Sequence, residues 1–142
     1  MPKSIYLAGK ADQADKKYLD FYCNLSLELF KLGFGVYVPH IECESLDFNS
    51  PDINLQIYKR NKLALTSSDI ALFYIGQASS GTGSEIVENI NNYRCQNIFY
   101  YKSGDKPSRQ ILGFLELRNK KIYEISDLKI NGINELIRLI HF

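Results

Sequence analysis

The chain has 142 residues, 45% of them apolar, which is enough to bury one core without disulfide or metal staples. Its net charge of +1 supplies no field of a single sign, which argues against nucleic-acid polymers and membrane surfaces as partners. No apolar run approaches the roughly 18–20 residues of a membrane span, and the opening stretch Ile5–Ala8 is too short for a signal-peptide core.

Ile5-Tyr6-Leu7-Ala8, stopped by Gly9, reads as a buried first strand. From Ala11 to Leu32 the apolar residues Tyr18, Tyr22, Leu25 and Leu29 recur at helical spacing, and Gly33 is placed as the C-terminal cap. Gly35-Val36-Tyr37-Val38 reads as a second strand, closed by Pro39. Residues 42–51 have no periodicity and read as a loop beside any site; residues 52–66 return to helical spacing. Ile70–Ile75 is continuously apolar and reads as a central strand buried on both faces. Gly76–Ser84 reads as a turn, residues 85–93 as a helix, and residues 97–101 as a fourth strand. A polar turn, a short helix at 110–117, an edge strand at 121–125 and a closing helix at 130–140 complete the chain.

Strand and helix alternate throughout, without repeat or linker, so the expectation is one α/β domain over residues 1–142. Its sheet is expected to be five-stranded, parallel and doubly wound in the flavodoxin-like order 2-1-3-4-5. Ligands of such sheets bind beyond the carboxyl ends of the strands at the switch between strands 1 and 3. Two loops should meet there: Gly9-Lys10-Ala11-Asp12 and Gly76–Ser84.

The second loop contains Ser79-Ser80-Gly81-Thr82-Gly83-Ser84-Glu85. Gly81 and Gly83 could take positive φ and let a ligand approach the backbone, with hydroxyls and a helix N-terminus beside it. The plainer reading is a Gly/Ser loop with Thr82 or Ser84 as helix cap. No Gly-Lys-Ser/Thr ends the turn, so it is not a P-loop. Glu85, placed in the first turn of the following helix, is either a complement to the helix dipole and capping partner of Thr82 or a carboxylate facing the ligand. In the second case it could attack a sugar anomeric carbon.

Other residues carry two readings as well. Asp12 and Asp15 flank the first loop and read as N-terminal acids of the first helix or as ligand contacts. Lys59, Arg60 and Lys62 read as a solvated face or as a substitute phosphate site. His40 reads as a hydrogen-bonded structural residue or a ligand contact, His141 as inert, and Tyr74 as core packing. Arg118-Asn119-Lys120-Lys121 reads as a charged turn. Ser108 and Arg109 could reach the phosphate site of a neighbouring subunit. Cys23, Cys43 and Cys95 have no metal-ligand spacing and read as reduced thiols, so neither metal nor other cofactor is expected and a cytoplasmic location follows by default.

Three segments together resemble the nucleoside 2-deoxyribosyltransferase superfamily, which includes the 2'-deoxynucleoside 5'-phosphate N-hydrolases. They are Ile5–Gly9, Ser68–Phe73 and Gly81-Thr82-Gly83-Ser84-Glu85-Ile86. The resemblance spans about Ile5 to about Tyr101 and implies the same flavodoxin-like fold. It implies that Glu85 attacks C1' of a 2'-deoxyribose and expels the base, water or a second base completing hydrolysis or transfer. It further implies that Tyr6 and Gly9 line the sugar and base pocket, and that Ser79 binds a 5'-phosphate with Gly81 and Gly83. A homodimer or higher homo-oligomer, with a partner chain contributing to each site, is implied too.

Two positions depart from the family. The carboxylate that helps the nucleophile or the leaving base falls near Asn61, and an amide cannot act as general acid or base. Asp69 stands at the wrong end of its strand to replace it, and Glu42 and Glu44 are the remaining sources. The basic phosphate ligand after the first strand has no clear counterpart: Lys10 is near, while Asp12 is closer to the expected place and has the opposite charge. A chain so altered would either depend on protonation of the substrate's own base, favouring purines at mildly acid pH, or bind a nucleotide without cleaving it.

Overall fold

The computed structural model describes residues 3–10 and 14–140, so Asp12, His141 and the predicted helix start at Ala11 lie outside the described residues. The strands are β1 Ser4–Ala8, β2 Gly35–Tyr37, β3 Ile70–Tyr74, β4 Gln96–Lys102 and β5 Ile122–Ile125. The helices are α1 Lys16–Lys31, α2 Pro39–Glu42, α3 Ile53–Thr66, α4 Ser80–Asn89, α5 Arg109–Leu117 and α6 Ile130–Ile137. All strand pairs are parallel and the order is β2-β1-β3-β4-β5, the expected doubly wound sheet with β5 at its edge.

The pleat divides the core into two layers, because successive side chains leave opposite faces. Ile5, Leu7, Ile70, Leu72, Tyr74, Ile98 and Tyr100 pack with Phe21, Leu25 and Leu29 of α1 and Ile133 and Leu136 of α6. Tyr6, Ala8, Ala71, Phe73 and Phe99 pack on the other face with Leu65 of α3, Ile86 of α4 and Leu115 of α5. Every residue of β3 is buried, as its unbroken apolar run requires. Tyr74 is core, as expected.

Local chemistry sets the element ends. Gly33 takes φ 96°, its N–H donates to the Phe30 carbonyl and that of Phe34 to the Leu29 carbonyl: the left-handed turn that closes a helix. A single turn, α2, started by Pro39 in its first position, leads from β2 into the segment 42–51 expected to be a loop. Among the described residues no helix is long and apolar enough to cross a membrane.

The turn before Glu85 differs from expectation. Helix α4 begins at Ser80, because the Ser79 hydroxyl oxygen accepts the Thr82 N–H at 3.2 Å and caps it. Neither Thr82 nor Ser84 is the cap. Gly81 and Gly83 are helical, and neither has positive φ. Glu85 therefore sits in the second helical turn, not the first, with no capping box to Thr82.

Candidate active site

The carboxyl ends of β1 and β3 open into a cleft of about 440 Å³. Gly9, Lys10, Ser79, Gly81, Asn61 and Glu85 all line it, joined by Pro39, Ala78, Ser80 and Thr82. Residues far apart in sequence thus meet at the switch point, as the topology requires. Tyr6, expected to line the pocket, is fully buried beside Glu85 and is not among the residues that line the cleft. Gly81 carries no strained backbone. A Cβ there would meet only the Ser79 Oγ at 3.8 Å, so its missing side chain leaves room in the cleft. Gly9 is tighter: a Cβ would stand 2.1 Å from the Tyr22 hydroxyl, so glycine alone lets the strand turn over that ring. Gly83 faces away from the cleft, where a Cβ would touch Ile111 at 3.7 Å.

Glu85 is half-buried, and burial pushes its carboxyl up to about 7. The neighbouring Tyr6 hydroxyl opposes that rise, and Glu88 on the next helical turn adds to it. Neither Glu85 Oε2 nor the Tyr6 hydroxyl meets a protein partner at hydrogen-bonding geometry, and the buried Thr82 hydroxyl is likewise without one. Desolvation and the Glu85 charge hold the Tyr6 phenol well above its ordinary value, so it is a neutral donor. Buried polar atoms without partners cost free energy unless something else supplies the bond.

At α4, the Ser79 hydroxyl accepts from Thr82 and keeps its own hydrogen to donate. The first intrahelical bond runs from the Gly83 N–H to the Ser79 carbonyl, which leaves the Ser80 and Gly81 amides free of helical acceptors. Lys10 stands in the same cleft. One ammonium group, one hydroxyl and two free amides thus share this corner of the cleft.

Asn61 is held from behind. The Tyr37 hydroxyl donates to its Oδ1 at 2.8 Å and the Cys43 thiol at 3.7 Å. Tyr37 stacks on Tyr6 with ring centres 5.3 Å apart, so the tyrosine beside Glu85 and the support of Asn61 are one packed unit. Neither Tyr37 nor Cys43 stood out in the sequence. Their role depends on the β1–β2 register, which sets Tyr37 opposite Tyr6 on one face.

Beyond Asn61 a second hollow, about 560 Å³ and mostly apolar, is lined by His40, Cys43, Glu44, Phe48, Ile53 and Ile57 among others. His40 lies 3.8 Å from the Cys23 thiol, and burial lowers its proton affinity. Between α3 and α4 a third hollow includes Asn61, Lys62, Gly81, Glu85 and Glu88. Of the basic trio, Lys62 alone lines this space; Arg60 donates to the Glu42 carbonyl at 2.7 Å and Lys59 is exposed.

Other expected contacts are elsewhere. Ser108 is exposed and lines hollows on the Gly83 side of α4, outside the Glu85 cleft, and Arg109 is exposed as well. Asp69 receives the Ser4 amide at 2.8 Å at the far end of the sheet. Asp15 caps α1 through its carbonyl, not its side chain. Arg118 lies 3.7 Å over the Phe114 ring. The three cysteines are free thiols, and among the described residues no cluster of metal-ligating side chains occurs.

The fold is shared with solved structures that include a 2-deoxyribosyltransferase. A 2-deoxyribosyltransferase from the psychrotolerant bacterium Bacillus psychrosaccharolyticus superimposes with a TM-score of 0.70 at 17% identity, over 98% of this chain and 93% of that one. The CMP N-glycosidase of Clostridium botulinum gives 0.69 at 20% identity, over 96% of this chain and 99% of that one. A conserved protein from Enterococcus faecalis V583 gives 0.65 at 15% identity, over 99% of this chain and all of the other. No protein-family model matches the sequence, and comparison with curated proteins finds no match either.

Proposed function

We propose that the protein cleaves the N-glycosidic bond of 2'-deoxynucleosides or their 5'-monophosphates. The observation that carries this reading is the Glu85 carboxyl: half-buried, facing the cleft, its Oε2 without a protein partner. A partly dehydrated carboxylate is a stronger nucleophile toward an electrophilic carbon, and a glycosyl ester with C1' splits the reaction into two easier steps. The Tyr6 hydroxyl beside it steadies the ionised form. Two of the superimposable proteins are described as a deoxyribosyltransferase and an N-glycosidase.

The corner formed by Lys10, the Ser79 hydroxyl and the Ser80 and Gly81 amides suits a 5'-phosphate, which favours the hydrolase branch and a nucleotide substrate. Lys10 supplies the cation there. Ser108, exposed and outside this cleft, fits a role in a partner's site. The proposal accordingly includes self-association, which light scattering on a sizing column reads.

Incubation with each deoxynucleoside and deoxynucleotide, followed by chromatography for free base, tests the reading. Release that is lost in Glu85→Ala supports it. Release that persists in Glu85→Ala removes Glu85 as nucleophile. Binding by calorimetry with no base released favours the second reading, a nucleotide sensor, to which the amide at Asn61 points.

A further inference from the structure

Asn61 lies at a junction. It lines the polar cleft that holds Glu85 and Ser79, and it lines the larger apolar hollow formed by His40, Phe48, Ile53 and Ile57, where Glu85 does not reach. A molecule with a polar sugar half and a flat apolar half would fill both spaces, and its connecting bond would pass Asn61. The glycosidic bond of a nucleoside is such a bond.

The amide's orientation follows from its supports. Tyr37 and Cys43 converge on Oδ1. Burial keeps both the phenol and the thiol above their ordinary values, so both carry their protons at neutral pH. A flipped amide would aim its N–H groups at two protonated groups, one of them sulfur, a weak acceptor. With Oδ1 engaged, Nδ2 is the polar atom that Asn61 has left to offer a ligand.

We infer that Asn61 donates an Nδ2–H hydrogen bond to a base that departs as an anion, so that the site selects oxo-substituted bases over amino-substituted ones. This rests on the glycosidase reading of the same site and names its substrate class. A Glu85 carboxylate oxygen forms a bond to C1' as the C1'–N bond breaks, and the bonding pair goes to the base nitrogen. The base leaves as an anion, its charge spread to the carbonyl oxygen beside that nitrogen and held by Nδ2–H. It takes a proton from water afterwards, and a second water molecule attacks C1' to free Glu85. Oxo-substituted bases carry such a charge more readily than amino-substituted ones. A carboxylic acid at position 61 would give a proton instead; an amide can give only a hydrogen bond. The expected pH preference is therefore opposite to that of prior base protonation.

Calorimetry with free 5-fluorouracil tests the donor directly, in the Glu85→Gln protein so that the carboxylate charge is absent. Between about pH 6 and about pH 9 affinity should rise about tenfold as the base ionises, and with Asn61→Asp added it should fall about tenfold over the same range. Affinity that stays level, no binding at either end, or the same trend in both proteins would overturn the inference. In the unmodified protein, base release from 2'-deoxyuridine or its 5'-monophosphate should exceed that from the cytidine counterpart about tenfold; equal release overturns the selectivity. If no base is released from any substrate while the opposed pH trends hold, the glycosidase reading fails and the donor assignment stands.

Discussion

Two carboxylates stand at the carboxyl edge of the sheet, one on each face, and their surroundings are opposite. On the α1 face, Asp105 accepts the Tyr18 hydroxyl at 3.0 Å and the Tyr74 hydroxyl, and Lys102 lies 3.7 Å away. The Tyr74 oxygen in turn accepts the Lys102 amide at 3.2 Å, which ties the loop after β4 to β3. On the α4 face, Glu85 also has a tyrosine hydroxyl beside it, yet its Oε2 has no partner. Nearby Tyr22 and Tyr100 hydroxyls are unpaired within the aromatic cluster, but the Asp105 carboxylate itself is satisfied. A carboxylate with its partners in place is part of the framework; one buried without them is poised for something outside the chain.

Substitution of Glu85 should show the largest contrast. Glu85→Gln should lower base release by at least about 10³-fold, because the amide cannot form the ester. It should also raise stability at alkaline pH. With the folded carboxyl pushed up to about 7 from an ordinary 4.5, both states are protonated at low pH and the substitution changes little. Above the folded value the native state must hold a poorly solvated charge that glutamine avoids. Urea melts should therefore show a gain of about 2 kcal/mol near pH 8, allowing for solvent access, fading to nothing near pH 4. A gain at both pH values would mean that ionisation is not its cause.

Asp105→Ala should do the reverse. It strands the Tyr18 and Tyr74 hydroxyls and should cost about 2–3 kcal/mol in the same melts. Ligand affinity by calorimetry should stay close to the parent's, since Asp105 does not line the Glu85 cleft. A large loss of affinity with little loss of stability would erase the distinction between the two faces.

The sequence revealed the two sides unequally. Alternating apolar runs were enough for strand order, because the buried run Ile70–Ile75 and the amphipathic segment before Gly33 have little alternative use. Glycine, lysine and glutamate in the two switch-point loops were likewise enough to bring Gly9, Lys10, Ser79, Gly81 and Glu85 to one cleft. The start of α4 was not legible: Ser79, Ser80, Thr82 and Ser84 are all competent caps, and the choice rests on one bond to the Thr82 N–H. The support of Asn61 by Tyr37 and Cys43 depends on strand register and on the single turn α2, neither of which leaves a periodic trace. Asp105 was hidden for a similar reason. It lies in a polar turn, where composition says only that the chain is exposed, although its partners come from α1 and β3.

Two glycines carry the contrast to smaller effects. Gly9→Ala places a Cβ 2.1 Å from the Tyr22 oxygen and 2.5 Å from ring carbon Cζ, so the ring or the strand end must move. Thermal melts should show a loss of about 2 kcal/mol. Adding Tyr22→Phe should recover only part of it, because Cζ remains in the way. Full recovery would mean that the hydroxyl alone sets the conflict.

Gly81→Ala should have the smallest effect on stability and the opposite sign. The backbone there is helical with no positive φ, and the nearest atom to a new Cβ is the Ser79 Oγ at 3.8 Å, an ordinary contact. Alanine is the better helix former, so melts should show a gain of about 0.5–1 kcal/mol. The same methyl would project into the space shared with Lys10, Asn61 and Glu85, where a ligand must fit. Nucleotide affinity should therefore fall as stability rises. Such divergence is expected of a glycine kept for room and not for conformation. If stability falls instead, the backbone at Gly81 needs glycine for its own sake. If affinity is unchanged, the ligand does not occupy this cleft, and the unpartnered Glu85 oxygen would need another explanation.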